Sequence, residues 1–83
     1  MEEVRKIEVC VRNLPLGSQR VWEETAGRFP QVRLRRWACL GLCEICVRRP
    51  FVLINDQEVL QAQDAETLWE VVRRRIEAGV QLP

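Results

Sequence analysis

Val4-Arg5-Lys6-Ile7-Glu8-Val9-Cys10-Val11-Arg12-Asn13-Leu14-Pro15-Leu16-Gly17-Ser18 holds a strand, a break and the start of a helix. Ile7, Val9 and Val11 alternate with Glu8, Cys10 and Arg12, the two-residue period of a half-buried strand. Val4 to Val11 is therefore expected to be extended. Cys10 falls at the strand's end, on the face opposite Ile7, Val9 and Val11. Asn13-Leu14-Pro15-Leu16-Gly17 breaks the strand, and Ser18 is a good N-cap for a helix beginning there.

Working outward, Val21, Trp22, Thr25, Ala26 and Phe29 recur at helical spacing, an amphipathic helix expected to close at Gly27 and Pro30. A second strand is expected at Val32 to Trp37, with Val32 and Leu34 facing one way and Arg33 and Arg35 the other. Ala38 to Pro50 reads as an irregular loop. Phe51-Val52-Leu53-Ile54 is apolar on both faces and belongs in the interior of a sheet. Asn55-Asp56 tolerates positive φ and predicts a hairpin turn, from which Gln57 to Gln61 returns as a more polar edge strand. Asp64 caps a final helix ending at Gly79, with Ala65, Leu68, Trp69, Val72 and Ile76 as its buried stripe. Glu70–Arg74 and Arg73–Glu77 make surface i,i+4 pairs on it, and Arg73-Arg74-Arg75 reads as its solvated face.

The order is strand, helix, strand, loop, strand, strand, helix. This predicts a single α/β domain over residues 1–83 with a four-stranded mixed sheet, the first two strands parallel and the third antiparallel to them, as in the core of a thioredoxin-like fold. A chain of 83 residues buries only a thin core, so a crosslink or a metal would stabilise it more than it would a large protein. Nearly half the residues are apolar, 47%, and 30% are charged, which excludes disorder. Formal net charge is +1, and overall charge gives no reason to expect nucleic acid or a membrane surface as a partner. The acidic start and the lack of a long apolar run predict a cytoplasmic protein without a signal peptide or membrane span.

Histidine and tyrosine are absent. Cys-His catalysis, Ser-His-Asp triads and histidine metal sites go with them. What remains is Cys10, Cys39, Cys43 and Cys46. One buried cysteine is ordinary, but three within eight residues in a reducing compartment point to ligands or redox thiols. Cys10 closes the first strand, Cys39 follows the second, and Cys43 and Cys46 precede the third, so this topology brings all four to one edge of the sheet. Four thiolates with Cys39-x3-Cys43-x2-Cys46 spacing suit a 2Fe–2S cluster, and Gly41 lets the loop turn tightly. Cys43-Glu44-Ile45-Cys46 is formally a redox dithiol, the alternative reading. A four-cysteine zinc site is the further alternative, although it ordinarily uses two C-x2-C pairs and one exists here.

Trp22 and Trp69 lie on apolar helix faces and read as core residues, and Trp37 as packing beside the cysteine loop. Arg12, Arg48 and Arg49 flank the cysteine edge and read as solvated surface. Glu44 is the one acidic group within the loop.

Cys10, Asn13, Leu14, Gly17, Ser18, Gln19, Cys39, Leu40, Cys43, Cys46 and Pro50 carry a resemblance, nearly end to end, to the YuzB-like family of small bacterial proteins. More distantly, the chain resembles the thioredoxin-like 2Fe–2S ferredoxins. The likeness lies in strand order, in the cysteine ending the first strand, and in a Cys-x3-Cys loop before a proline and an apolar strand. That resemblance implies a cluster-binding protein that exchanges electrons with a protein redox partner. The chain departs from those ferredoxins in having no cysteine at the start of the first helix, around Arg20 to Glu23, and in its extra loop cysteine. Pro50 stands where thioredoxin-like folds carry a cis-proline.

Overall fold

The computed structural model describes residues 2–39 and 48–79. Its elements run β1 (Lys6–Cys10), a 3-10 segment (Val11–Leu16), α1 (Ser18–Arg28), β2 (Arg33–Trp37), β3 (Phe51–Ile54), β4 (Glu58–Gln61) and α2 (Ala65–Gly79). The four strands form one mixed sheet in the order β2-β1-β3-β4. β1 runs parallel to β2 and antiparallel to β3, and β3 pairs antiparallel with β4. The expected topology and the interior place of Phe51–Ile54 are both found. β1 and β3 are central, and β3 is apolar at every position while β1 alternates apolar Ile7 and Val9 with Lys6 and Glu8.

α1 and α2 pack on each other and on one face of the sheet. Ile7, Val9, Val52 and Ile54 meet Val21 of α1 and Leu68, Trp69, Val72 and Ile76 of α2 in a single core. The period-2 and period-3.6 stripes read from the sequence point at one another across that layer. Asn55 and Asp56 take φ of 52° and 66°, and Gln57 N–H closes the turn on the Ile54 carbonyl at 3.0 Å. Asp64 accepts the Thr67 N–H at 2.8 Å, the expected cap of α2. Arg73 pairs with Glu77 at 3.0 Å and Arg74 with Glu70 at 3.7 Å.

Several local expectations are corrected. β1 stops at Cys10, and Val11 is 46% exposed, because the chain winds into a 3-10 turn that the alternation conceals. Ser18 is not the cap. Gly17 takes that place at φ 148°, while Ser18 is fully buried with its hydroxyl making no hydrogen bond among the described residues. Gly27 lies inside α1 rather than ending it, Ala26 is exposed, and the helix closes at Phe29, whose N–H reaches the Thr25 carbonyl at 2.8 Å. β2 begins at Arg33 and β4 at Glu58. Trp22 is only half-buried. Arg75 is buried, not solvated: it donates to Glu58 at 3.0 Å and to the Glu2 carbonyl at 2.6 Å, tying α2 to β4 and to the chain's start.

Gly17 and Gly27 give opposite expectations for the same substitution. A Cβ at Gly17 would sit 2.9 Å from the Ala65 backbone and 2.9 Å from Pro50, at a φ that side chains avoid. Gly17→Ala is expected to cost roughly 2–4 kcal/mol in urea unfolding, by backbone strain and overpacking together. A Cβ at Gly27 would meet nothing within 4 Å among the described residues outside its own helix backbone, and Gly27→Ala is expected to stabilise by about 0.5–1 kcal/mol through helix propensity. Equal midpoints for the two variants would show that the Gly17 approach is not tight.

Candidate cysteine site

Cys10 is the last residue of β1 and pairs in parallel register with Trp37, the last residue of β2. Cys39 lies two residues beyond. With paired strands about 4.8 Å apart and two residues spanning at most about 7 Å, Cys10 and Cys39 are within about 12 Å. The Cys10 thiol donates to the Ala38 carbonyl at 3.6 Å, beside the peptide that leads into Cys39. Cys10 is buried and Cys39 exposed. Cys43, Cys46, Leu40, Gly41 and Glu44 lie outside the described residues. Arg48, on the far side of that segment, and Pro50 stand before β3, at the same end of the sheet as Cys10 because β3 runs antiparallel to β1. Among the described residues no group of three or more His, Cys, Asp or Glu is assembled as for a metal.

Asn13 organises this end. Its amide is fully buried, donates to the Arg49 carbonyl at 2.8 Å and accepts the Phe51 N–H at 2.9 Å. The chain leaving β1 is thereby stitched to the chain arriving at β3. In sequence Asn13 reads only as a strand breaker, and this bridging role is invisible there. A lone asparagine two residues before a proline reads as turn chemistry, and nothing nearby in sequence reveals a partner 36 residues away. Pro50 is buried, and there is no cis bond among the described residues, so Arg49–Pro50 is trans.

Glu8 is a second residue whose role the sequence does not reveal. Strand alternation places it on the sheet face away from the helices, together with Cys10 and Phe51. It is nonetheless only 3% exposed. Trp37, itself 44% exposed, donates its indole N–H to the Glu8 carboxylate. Lys6 lies 3.8 Å from Glu8 and 2.6 Å from Asp56. Burial pushes the Glu8 carboxyl above its ordinary range, helped by a hydrogen bond with Asp56 and opposed by the Trp37 donor. Asp56 moves the other way, held down first by the hydrogen bond from Glu8 and then by Lys6. The unlike environments of the two carboxyls, one buried and one exposed beside Lys6, favour the proton on Glu8 and the charge on Asp56.

The fold and site define a small α/β domain with one buried cysteine at a central strand's end and a second beyond the neighbouring edge strand. A family described as a protein of unknown function, DUF1450, matches residues 4–79, and the chain belongs to that family. A UPF0349 protein of Bacillus cereus is 42% identical over 62 residues, covering 75% of this chain and 76% of its own. One from Bacillus pumilus is 37% identical over 71 residues, covering 86% and 88%. These small Bacillus proteins agree with the YuzB-like resemblance. No solved structure matches. Among the described residues, no helix is long and apolar enough to cross a membrane.

Two substitutions test this architecture. Asn13→Ala leaves the Phe51 N–H and Arg49 carbonyl without their partner and is expected to destabilise by about 2–4 kcal/mol. For Glu8, a folded pKa raised above 4.5 contributes stability that is full below the unfolded pKa and is lost as pH rises through the folded one. Glu8→Gln keeps an acceptor for Trp37 and a donor for Asp56 without the titration. The stability of the parent relative to Glu8→Gln should therefore fall as pH rises above about 4.5, read from urea midpoints. A difference that stays constant with pH would remove the raised carboxyl.

Proposed function

We propose that this chain is a small cysteine-based redox protein of thioredoxin-like architecture, in which Cys10, Cys39, Cys43 and Cys46 hold a 2Fe–2S cluster for electron transfer or iron–sulfur handling. The observation that carries the reading is the parallel register of β1 and β2, which sets buried Cys10 beside the stretch leading into Cys39. Residues far apart in sequence thus offer thiolates at one end of the sheet. The donor chemistry fits: thiolates are soft ligands, and Arg12, Arg48 and Arg49 near that end oppose the negative charge of a thiolate set. A cluster bound there supplies one-electron transfer, with a potential set by charge and solvent access. Cys10 anchors the site inside the protein, and exposed Cys39 leaves it open on the side that a protein redox partner would reach.

A second reading is favoured by one contact. The Cys10 thiol lies 3.6 Å from the carbonyl of the residue preceding Cys39, the neighbourhood from which a disulfide could form. In that reading two thiols form one S–S bond and release two protons. Their two electrons reduce a partner's disulfide to a dithiol.

Anaerobic reconstitution with iron and sulfide separates these readings, with iron and sulfide per chain and visible absorption as readouts. The expected result is uptake in 2Fe–2S proportion by the parent, with loss in the single Cys→Ser variants. A parent that takes up no iron, or four variants that each bind it as well as the parent, would overturn the cluster. Titration against glutathione buffers would then test the dithiol. Uptake of zinc alone, without colour, would favour a zinc-stabilised interaction module.

A further inference from the structure

Thirteen side chains are basic. Seven of them, Arg5, Lys6, Arg20, Arg28, Arg73, Arg74 and Arg75, make ion pairs with carboxylates. Arg12, Arg33, Arg35, Arg36, Arg48 and Arg49 make none among the described residues, and all six are exposed. Three of them stand on one strand, β2, whose five residues read Arg-Leu-Arg-Arg-Trp.

Among the described residues β2 is an edge strand, hydrogen-bonded within the sheet only to β1. The Arg33 N–H reaches the Arg5 carbonyl at 2.9 Å, so the backbone groups of Arg33, Arg35 and Trp37 face β1. By the alternation of a parallel ladder, the N–H and C=O of Leu34 and Arg36 face outward. Arg33, Arg35 and Trp37 project on one face of the sheet and Arg36 on the other, where it lies over the Trp22 ring at 4.7 Å. A cleft of about 330 Å³ lined by Trp22, Glu23 and Arg36 flanks one end of the strand, and another of about 380 Å³ lined by Gln31 and Arg33 flanks the opposite end.

We propose that the open edge of β2 is a docking site for an acidic, extended segment of a partner protein, which adds to the sheet as a fifth strand. The backbone groups of Leu34 and Arg36 supply the ladder. Arg33, Arg35 and Arg36 neutralise carboxylates on alternate sides of the added strand, and the two clefts take side chains at its ends. A second copy pairing through the same edge would set arginines against arginines, so the charge selects a different, acidic chain. This assignment does not rest on the cysteines and stands or falls separately from the redox reading.

The probe is an acetylated, amidated eight-residue peptide alternating Glu and Val, titrated into the full chain while amide exchange is followed by NMR. Slowed exchange at the Leu34 and Arg36 amides is expected. An alternating Lys-Val peptide should produce none, and the double variant Arg33→Glu/Arg35→Glu should bind the acidic peptide at least tenfold more weakly. Arg36→Pro removes an outward N–H while leaving the β1 ladder, and it should also abolish protection at Leu34. Because proline can disturb the strand itself, unchanged circular dichroism is required of that variant, and the charge-reversal pair decides if it is perturbed. Three results would overturn the proposal. One is unchanged amides on β2. Another is equal binding of a Glu-Pro peptide, which cannot form a ladder. The third is tighter binding of a twelve-nucleotide thymidine oligomer at the same salt, which would assign the patch to nucleic acid.

Discussion

The buried amide of Asn13 fastens two backbone segments beyond the point where the β1–β3 ladder ends. By accepting from the Phe51 N–H and donating to the Arg49 carbonyl, it locks the exit of β1 to the start of β3. Both bonds are buried or partly so, where a hydrogen bond lost costs the full desolvation of the group left behind. Gly17 works on the same junction: without a side chain, it lets the start of α1 close on Pro50 and Ala65. Cys10, the 3-10 segment and the start of β3 thus form one hydrogen-bonded corner.

The two sheet faces are built on different physics. On the helix side, Ile7, Val9, Val52 and Ile54 bury against α1 and α2 by apolar packing alone. On the other, Glu8, Cys10 and Phe51 are also buried, but a carboxyl among them requires partners. Trp37 and Lys6 provide these, the first as an indole donor and the second as a cation, and burial raises the Glu8 carboxyl's affinity for its proton. Trp37 therefore ties the end of the edge strand β2 to the centre of β1, in the stretch leading into Cys39. Arg35 lies 5.8 Å from the same indole ring.

Charge is divided unevenly over this fold. The helices largely neutralise themselves, with Arg20 and Arg28 on Glu24 and Arg73 on Glu70 and Glu77, while buried Arg75 pairs with Glu58 of β4. The exposed pairs among these contribute little individually, but together they leave the helical layer with few uncompensated cations. β2 and the ends of the segments flanking the cysteines keep theirs. A chain with a net charge of only +1 thus carries a basic edge that its total conceals.

Periodicity in the sequence determined the elements, their order and the helix-facing core, because a two- or 3.6-residue repeat is a local property of a strand or helix that must bury one face. It also determined the Asn55-Asp56 turn and the Asp64 cap, whose chemistry lies within four residues of chain. It could not show where β1 stopped, since Val11 continues the alternation although the backbone has already turned. Nor could it tell Ser18 as a cap from Ser18 as a buried residue, or separate Arg75 from its two solvated neighbours. Those outcomes depend on groups brought up from elsewhere: Pro50 and Ala65 against Gly17, Glu58 and the Glu2 carbonyl against Arg75, and Trp37 and Asp56 against Glu8. Cys10 was legible as a site residue because it ends a strand, and its nearness to the Cys39 stretch followed once the strands were read as parallel. The burial of Glu8 and the bridge made by Asn13 were decided only by tertiary structure, because a polar side chain enters a protein interior when distant partners satisfy it, and those partners are neighbours in space, not in sequence.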